Sequence, residues 1–288
     1  MEKQDVKLIE CPRDAMQGIG PFIPTDVKVR YLNGLLKVGF DTIDIGSFVS
    51  AKAIPQLADT AEVLERIDTD RSKSKLLVII ANERGAEDAV KNARVDQLGY
   101  PFSISETFQQ RNTNTSIAGS WERTQRIAEI ARRGGKELVV YISMAFGNPY
   151  GDPWNSEIAL QWTDRLVNEL DVRIISLADT VGVAQPEQVE TMFSALIPAM
   201  PAVEFGAHLH ARKDNWKPKT DAAWRAGCRR FDHAIAGLGG CPMAEDDLVG
   251  NLTTELFVAD LEQSGVRTGL DLSALDRSVQ EAAGVFPA

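Results

Sequence analysis

Short apolar runs alternate with amphipathic stretches along the whole chain. Residues 6–11 read as a first strand, and 25–37 as a helix that Thr25 caps and Gly39 stops. Further strands are predicted over 42–48, 75–81, 97–105 and 137–145, the run KLLVIIA at 75–81 being apolar without interruption, as in a strand buried on both faces. Helices are expected over 55–67, 83–93 and 115–133, the first with proline near its start and the last ended by Gly134-Gly135. The second half continues the alternation. Strands are predicted at 173–179, 203–210 and 230–236, and helices at 156–170, 188–197, 220–226 and 253–264. Eight strand–helix alternations predict an α/β fold, a (β/α)8 TIM barrel formed as one catalytic domain over residues 1–288, with an extra C-terminal helical segment. An open sheet built from the same units is the competing arrangement.

Composition changes this picture little. A hydrophobic content of 44% and a charged content of 25% describe a globular chain able to bury a sizeable core. The formal net charge of -10 argues against nucleic acid or an anionic membrane as a partner, while leaving room for a local basic pocket. The three cysteines, Cys11, Cys228 and Cys241, have no paired spacing, so a reducing compartment is the simpler reading. The N-terminal residues carry no apolar segment of the signal-peptide kind, and no run reaches the length of a membrane span; a cytoplasmic location is expected.

Candidate chemistry gathers at the strand ends. Of three histidines, two stand one residue apart, as His208-Leu209-His210. On a strand, positions i and i+2 share a face, so both imidazoles aim into one space, suited to a divalent metal. The plainer alternative is a pair of polar residues where a strand meets solvent. A barrel places active sites at the C-terminal ends of its strands, and the polar residues there are Asp14, Asp44, Asp179, His208 and His210. Arg13 and Asp14 read either as a surface ion pair or as a fixed cation beside an oxygen ligand. Three glycines precede Cys241, an arrangement open to a phosphate-binding loop, a closing loop that carries a reactive thiol, or a packed small hydrophobe.

Several stretches together resemble one family: Pro12-Arg13-Asp14 with Gln17, Ser47-Phe48-Val49-Ser50 with Lys52, Pro55 and Gln56, Ser176 to Gly182, His208-Leu209-His210, Gly237-Leu238-Gly239-Gly240-Cys241-Pro242, and Gly250-Asn251-Leu252 with Thr254-Glu255. The resemblance is to the 3-hydroxy-3-methylglutaryl-CoA lyases, among the metal-dependent barrel lyases and condensing enzymes. It implies that Asp14, His208, His210 and Asn251 hold one Mg2+ or Mn2+. It further implies that Arg13 stabilises an enolate, that Cys241 handles protons at the enolate carbon, and that Asp44, Asp179 and His208 shape the removal of a hydroxyl proton. The implied partner is a small acyl-CoA substrate, and the implied assembly a homodimer. The sequence departs from the family pattern at Asp44, where glutamate is common, at Gly18-Ile19-Gly20, at Asn148, and at Leu209 and Ala211. These departures spare the implied metal set and fall on the acyl pocket and the coenzyme contacts. A condensing enzyme of the same barrel class, or a related lyase acting on another 3-hydroxyacyl-CoA, is the alternative; a non-catalytic binding barrel is a third. Lys52, Arg212, Lys213, Lys217 and Lys219 are candidates for a basic rim, and His233 is read as a histidine of the core or one that supports other side chains.

Overall fold

In the computed structural model, which describes residues 5–240 and 249–286, eight parallel strands close into a barrel in sequential order. The strands are β1 (Lys7–Glu10), β2 (Thr42–Ser47), β3 (Lys75–Ile79), β4 (Gln97–Ser103), β5 (Glu137–Ser143), β6 (Ile174–Asp179), β7 (Glu204–Leu209) and β8 (Arg230–His233). The helices lie outside, and the C-terminal segment forms one more, Leu272–Val285, packed on Thr25–Val38 with Phe286 edge-on to Tyr31 at 5.6 Å between ring centroids. The expected barrel is therefore present and the open sheet is not. The barrel solution removes both sheet edges, and the short connections place each strand beside its successor.

Strand alternation divides the side chains between two cores. On β6 and β7, Ile175, Leu177, Phe205, Ala207 and Leu209 join the large apolar layer under the helices. Inside the barrel, Leu77, Val139, Tyr141 and Ile174 form a separate apolar plug, with Ile79 packed against it. The plug closes the axis below the C-terminal mouth, so chemistry is confined to the layer above it.

Two short helices are absent from the pattern-based expectations. Pro12–Gln17 begins one residue after Cys11 with proline in its first turn, and Glu106–Thr113 is capped by the Ser105 hydroxyl, which accepts from the Phe108 amide. Each is too short to display an apolar period, so nothing in its hydrophobic pattern marks it. The first of them sets the direction of Arg13 and Asp14. The helix expected over 55–67 is split instead, into a single tight turn at Pro55–Leu57 and a helix at Thr60–Arg66. No helix among the described residues is long and apolar enough to cross a membrane.

Candidate active site

The mouth is built from strand ends. His208 is the last inward residue of β7, and its register partner across the ladder to β8 is Asp232. His210 lies just beyond the strand and forms an isolated antiparallel bridge with Asn251. Asp14 enters from the short helix after β1. Ligand atoms of Asp14, His208 and His210 all lie within 4.8 Å of one another, so these three side chains can hold a metal ion.

Both rings are oriented from behind. His210 donates from Nδ1 to the Val249 carbonyl at 2.9 Å, which leaves its Nε2 without a proton and free to ligate. His208 donates from Nδ1 to Asp232 Oδ2 at 3.0 Å, with the same consequence. The rings sit 5.1 Å apart, nearly edge to face. Burial lowers the basicity of His210, and the neighbouring His208 lowers it further. For His208, burial is outweighed by the hydrogen bond and charge of Asp232, and its pKa is raised. Asp14 is pushed up by burial, but Arg13 and the two imidazoles overcome this and hold it at about 2. An ionised carboxylate and two imidazoles, each presenting Nε2 when its ring is neutral, are a donor set suited to a divalent cation.

The Arg13 guanidinium is fixed on three sides. Its Nε and Nη2 donate to Asp44 Oδ2 at 2.9 and 2.6 Å, and its Nη1 donates to Asp14 Oδ1 and to Gln17 Oε1, both at 2.9 Å. Asp44 points into the barrel from β2, and its second oxygen, Oδ1, is buried with no partner. Burial exceeds the attraction of Arg13 and raises the Asp44 carboxyl to about 6. Asn251 donates to Asp14 Oδ2 at 2.5 Å and to the Leu238 carbonyl at 2.8 Å, which ties the segment after the glycine loop to the Asp14 carboxylate.

The loop after β8 requires its glycines. Gly239 has φ +99°, and a Cβ there would stand 2.5 Å from Asn251 Nδ2 and 2.8 Å from Asp14 Oδ2. The amide of Gly240 donates to Asp14 Oδ2 at 3.3 Å. Cys241 lies outside the described residues. A cavity of about 480 Å³ opens above the three possible ligands, walled by Val49, Ile54, Ile79, Pro101 and Phe108 and, on its polar side, by Asn112, Ser143 and Thr180.

Not every residue expected at the mouth faces it. Asp179 ends β6 on the helix side, one residue after Ala178, which does line the cavity. Its Oδ2 accepts from Lys219 Nζ at 2.8 Å, and its Oδ1 accepts from the Ala184 amide at 3.0 Å. Lys219 also donates to the carbonyls of His210 and Gly182, at 3.0 and 3.1 Å. Lys219 is thus a buried clamp and no part of a basic rim, while Lys217 is tied to Asp221 and Asp260. Asp232 is not singled out by any motif; on β8 it follows Phe231, which joins the apolar layer under the helices, and strand alternation therefore turns Asp232 inward. His233 is buried in the core, its Nδ1 bonded to Glu10 Oε2 at 3.0 Å and to Thr254 Oγ1 at 2.8 Å.

Comparison with known proteins settles the family. A family model described as HMGL-like matches residues 6–281. The chain belongs to that family, the family of the hydroxymethylglutaryl-CoA lyases. It is 32% identical over 264 residues to the hydroxymethylglutaryl-CoA lyase YngG of Bacillus subtilis, covering 92% of this chain and 87% of that one. Among solved structures, the HMG-CoA lyase from Brucella melitensis superposes with a TM-score of 0.90 at 32% identity, over 98% of this chain and 99% of that one. The HMG-CoA lyase from Acenitobacter baumannii in complex with coenzyme A and 3-methylmalate gives 0.89 at 31% identity, over 97% and 90% of the two chains. In this HMGL-like chain, Asp14, His208 and His210 converge at the barrel mouth with the glycine loop beside them.

Proposed function

We propose that the chain is a divalent-metal-dependent carbon–carbon lyase that cleaves 3-hydroxy-3-methylglutaryl-CoA to acetyl-CoA and acetoacetate. The observation that carries this reading is the convergence of Asp14, His208 and His210 within 4.8 Å in a chain matched to HMG-CoA lyases over more than nine-tenths of its length. A solved relative binds coenzyme A, which supports an acyl-CoA as the substrate class. Asp14, His208, His210 and Asn251 would hold Mg2+ or Mn2+. When bound, the ion supplies Lewis acidity that makes the tertiary hydroxyl of the substrate a better proton donor.

The chain's own residues supply the rest. The hydroxyl proton passes to a barrel-facing group, for which Asp44 is the candidate: its Oδ1 is unpartnered, whereas His208 has its Nδ1 bonded to Asp232 and its Nε2 would hold the ion. As that proton leaves, the carbon–carbon bond breaks, C3 becomes the ketone of acetoacetate, and the bonding pair becomes the enolate of acetyl-CoA. Arg13 is a fixed cation for that developing charge, and because Asp44 and Gln17 hold it in place beforehand, little reorganisation is needed. Cys241 delivers a proton to the enolate carbon. Asp179 has a positioning part: through Lys219 it holds the backbone carbonyl of His210. A reducing cytoplasmic setting suits the buried free thiols of Cys11 and Cys228.

The test is acetyl-CoA release from HMG-CoA by metal-stripped protein, with and without Mg2+ or Mn2+, beside Cys241→Ala. Metal-dependent release that falls sharply in the variant is the expected result. No release from protein that still binds the metal would overturn the substrate assignment and direct attention to other 3-hydroxyacyl-CoA esters.

A further inference from the structure

Beneath the mouth, three donors of a different kind converge. Cys11 directly follows β1, His208 lies on β7 and Asp232 on β8, three adjacent strands of the closed sheet. Their ligand atoms also lie within 4.8 Å of one another. All three groups face the barrel axis. Asp232 is 1% exposed, and its Oδ1 is buried with no hydrogen-bond partner, although its Oδ2 accepts from His208. The Cys11 thiol is fully buried and makes only a long contact to the Ile9 carbonyl, at 3.7 Å. The buried Arg230 offsets the charge of Asp232, but the free carboxylate oxygen and the loosely held thiol still lack a bonding partner in the barrel interior.

We propose that Cys11, His208 and Asp232 form a second metal site, selective for a thiophilic divalent cation such as Zn2+, Cd2+ or Co2+. The donor set favours that class. A thiolate, an imidazole and a carboxylate suit a soft or borderline ion, whereas the mouth set of carboxylate and imidazoles, without sulfur, suits Mg2+ or Mn2+. A dication balances one thiolate and one carboxylate among its own donors, beside the buried Arg230 whose charge also faces Asp232.

The site has a consequence for the mouth, and that consequence rests on the reading of Asp14, His208 and His210 as the catalytic metal site. His208 now keeps its proton on Nδ1 and offers Nε2 upward. A cation on the Cys11–Asp232 side takes Nδ1 instead. The thiol proton leaves to solvent, and the imidazole proton moves from Nδ1 to Nε2, where it blocks ligation from above. Occupation of the lower site therefore opposes occupation of the upper one, so that a thiophilic ion inhibits through a residue both sites share.

Metal-stripped protein titrated with Co2+ tests the site without substrate. The wild type is expected to develop the near-ultraviolet charge-transfer absorption of a cobalt–thiolate bond. Cys241→Ala keeps that absorption, Cys11→Ser loses it, and Asp232→Asn weakens Co2+ binding roughly tenfold or more. No charge-transfer band in the wild type, or a band that survives in Cys11→Ser, overturns the proposal. Circular dichroism confirms that each variant is folded, and Cys11→Ala replaces the serine variant if it is not. A second arm saturates the protein with Mn2+ and adds Cd2+, with release of Mn2+ followed by electron paramagnetic resonance. Release at roughly tenfold lower Cd2+ in the wild type than in Cys11→Ser is expected, and equal sensitivity overturns the antagonism. Neither arm reads lyase activity, so failure here leaves the lyase assignment standing, and failure of that assignment leaves the charge-transfer result standing.

Discussion

Lys219 reaches across the outside of the barrel to place its ammonium 2.8 Å from Asp179 Oδ2, in a contact where the side chains are 4% and 1% exposed. The pair is held away from the mouth, and the carbonyls of His210 and Gly182 complete the lysine's hydrogen bonds. This geometry makes Asp179 a support for the backbone at His210. Asp179→Asn leaves a buried cation without its counter-charge and should lower the unfolding free energy by about 3 kcal/mol. Urea denaturation of the metal-stripped protein measures this directly. Full stability combined with lost turnover would instead make Asp179 a group that handles protons.

Metal affinity should depend on pH through His208. A protonated imidazole cannot ligate, and Asp232 raises the His208 pKa above 6.5 against the opposing effect of burial. Affinity for Mn2+ is therefore complete well above that pKa and declines by about tenfold per pH unit as pH falls below it, one proton being displaced per ion. Calorimetric titrations at pH 8 and pH 6 would detect the difference. Asp232→Asn removes the main raising influence, so the decline should begin at lower pH.

Asp44 predicts an opposite stability signature to that of most carboxylates. Its pKa is raised from 3.8 to about 6, chiefly by burial, so the fold favours the protonated form. Stability from this source is fully present below the unfolded value near 3.8 and is lost as pH rises through about 6, a difference of about 3 kcal/mol. The unfolding free energy of the wild type, relative to Asp44→Asn, should fall over that window in chelator. Because Arg13 loses its two-donor anchor, kcat of the variant should drop by about a hundredfold.

Gly239→Ala should damage the site while sparing the barrel. The added Cβ meets Asn251 and Asp14 at 2.5 and 2.8 Å, and the backbone sits at φ +99°. Metal affinity is expected to fall by about tenfold or more. Gly135→Ala provides the comparison: it has φ +64° with nothing within 4 Å of the new atom, so it should cost about 1 kcal/mol of stability and leave metal affinity unchanged. Equal metal affinity in the two variants would remove the argument for close packing at Gly239.

Much of this protein is legible in its sequence. Period two on 203–210 and its apolar neighbours predicts β7 and the shared direction of His208 and His210. The alternation of eight such runs with helices predicts the barrel. Barrel logic then brings Asp14 and the histidines to one mouth. These features depend on local periodicity and on a topology that joins each strand to the next, and both are encoded by residues close together in the chain.

Other features depended on which side of the sheet a single residue took, and on partners far away in sequence. Asp179 and Ala178 are adjacent, and a strand of period two sends one to the helices and the other to the cavity; only the completed barrel shows that Lys219, forty residues on, waits for the first. Lys219 is a surface charge by sequence and a buried clamp by structure, since burial is decided by what packs over a residue. Cys11, His208 and Asp232 carry no common motif, because three strands that meet only on closure of the sheet supply them. The chain alone determined the architecture and the gathering of Asp14, His208 and His210 at the mouth; tertiary packing decided which charges face the axis, which are neutralised behind it, and that one imidazole stands between two sets of donors.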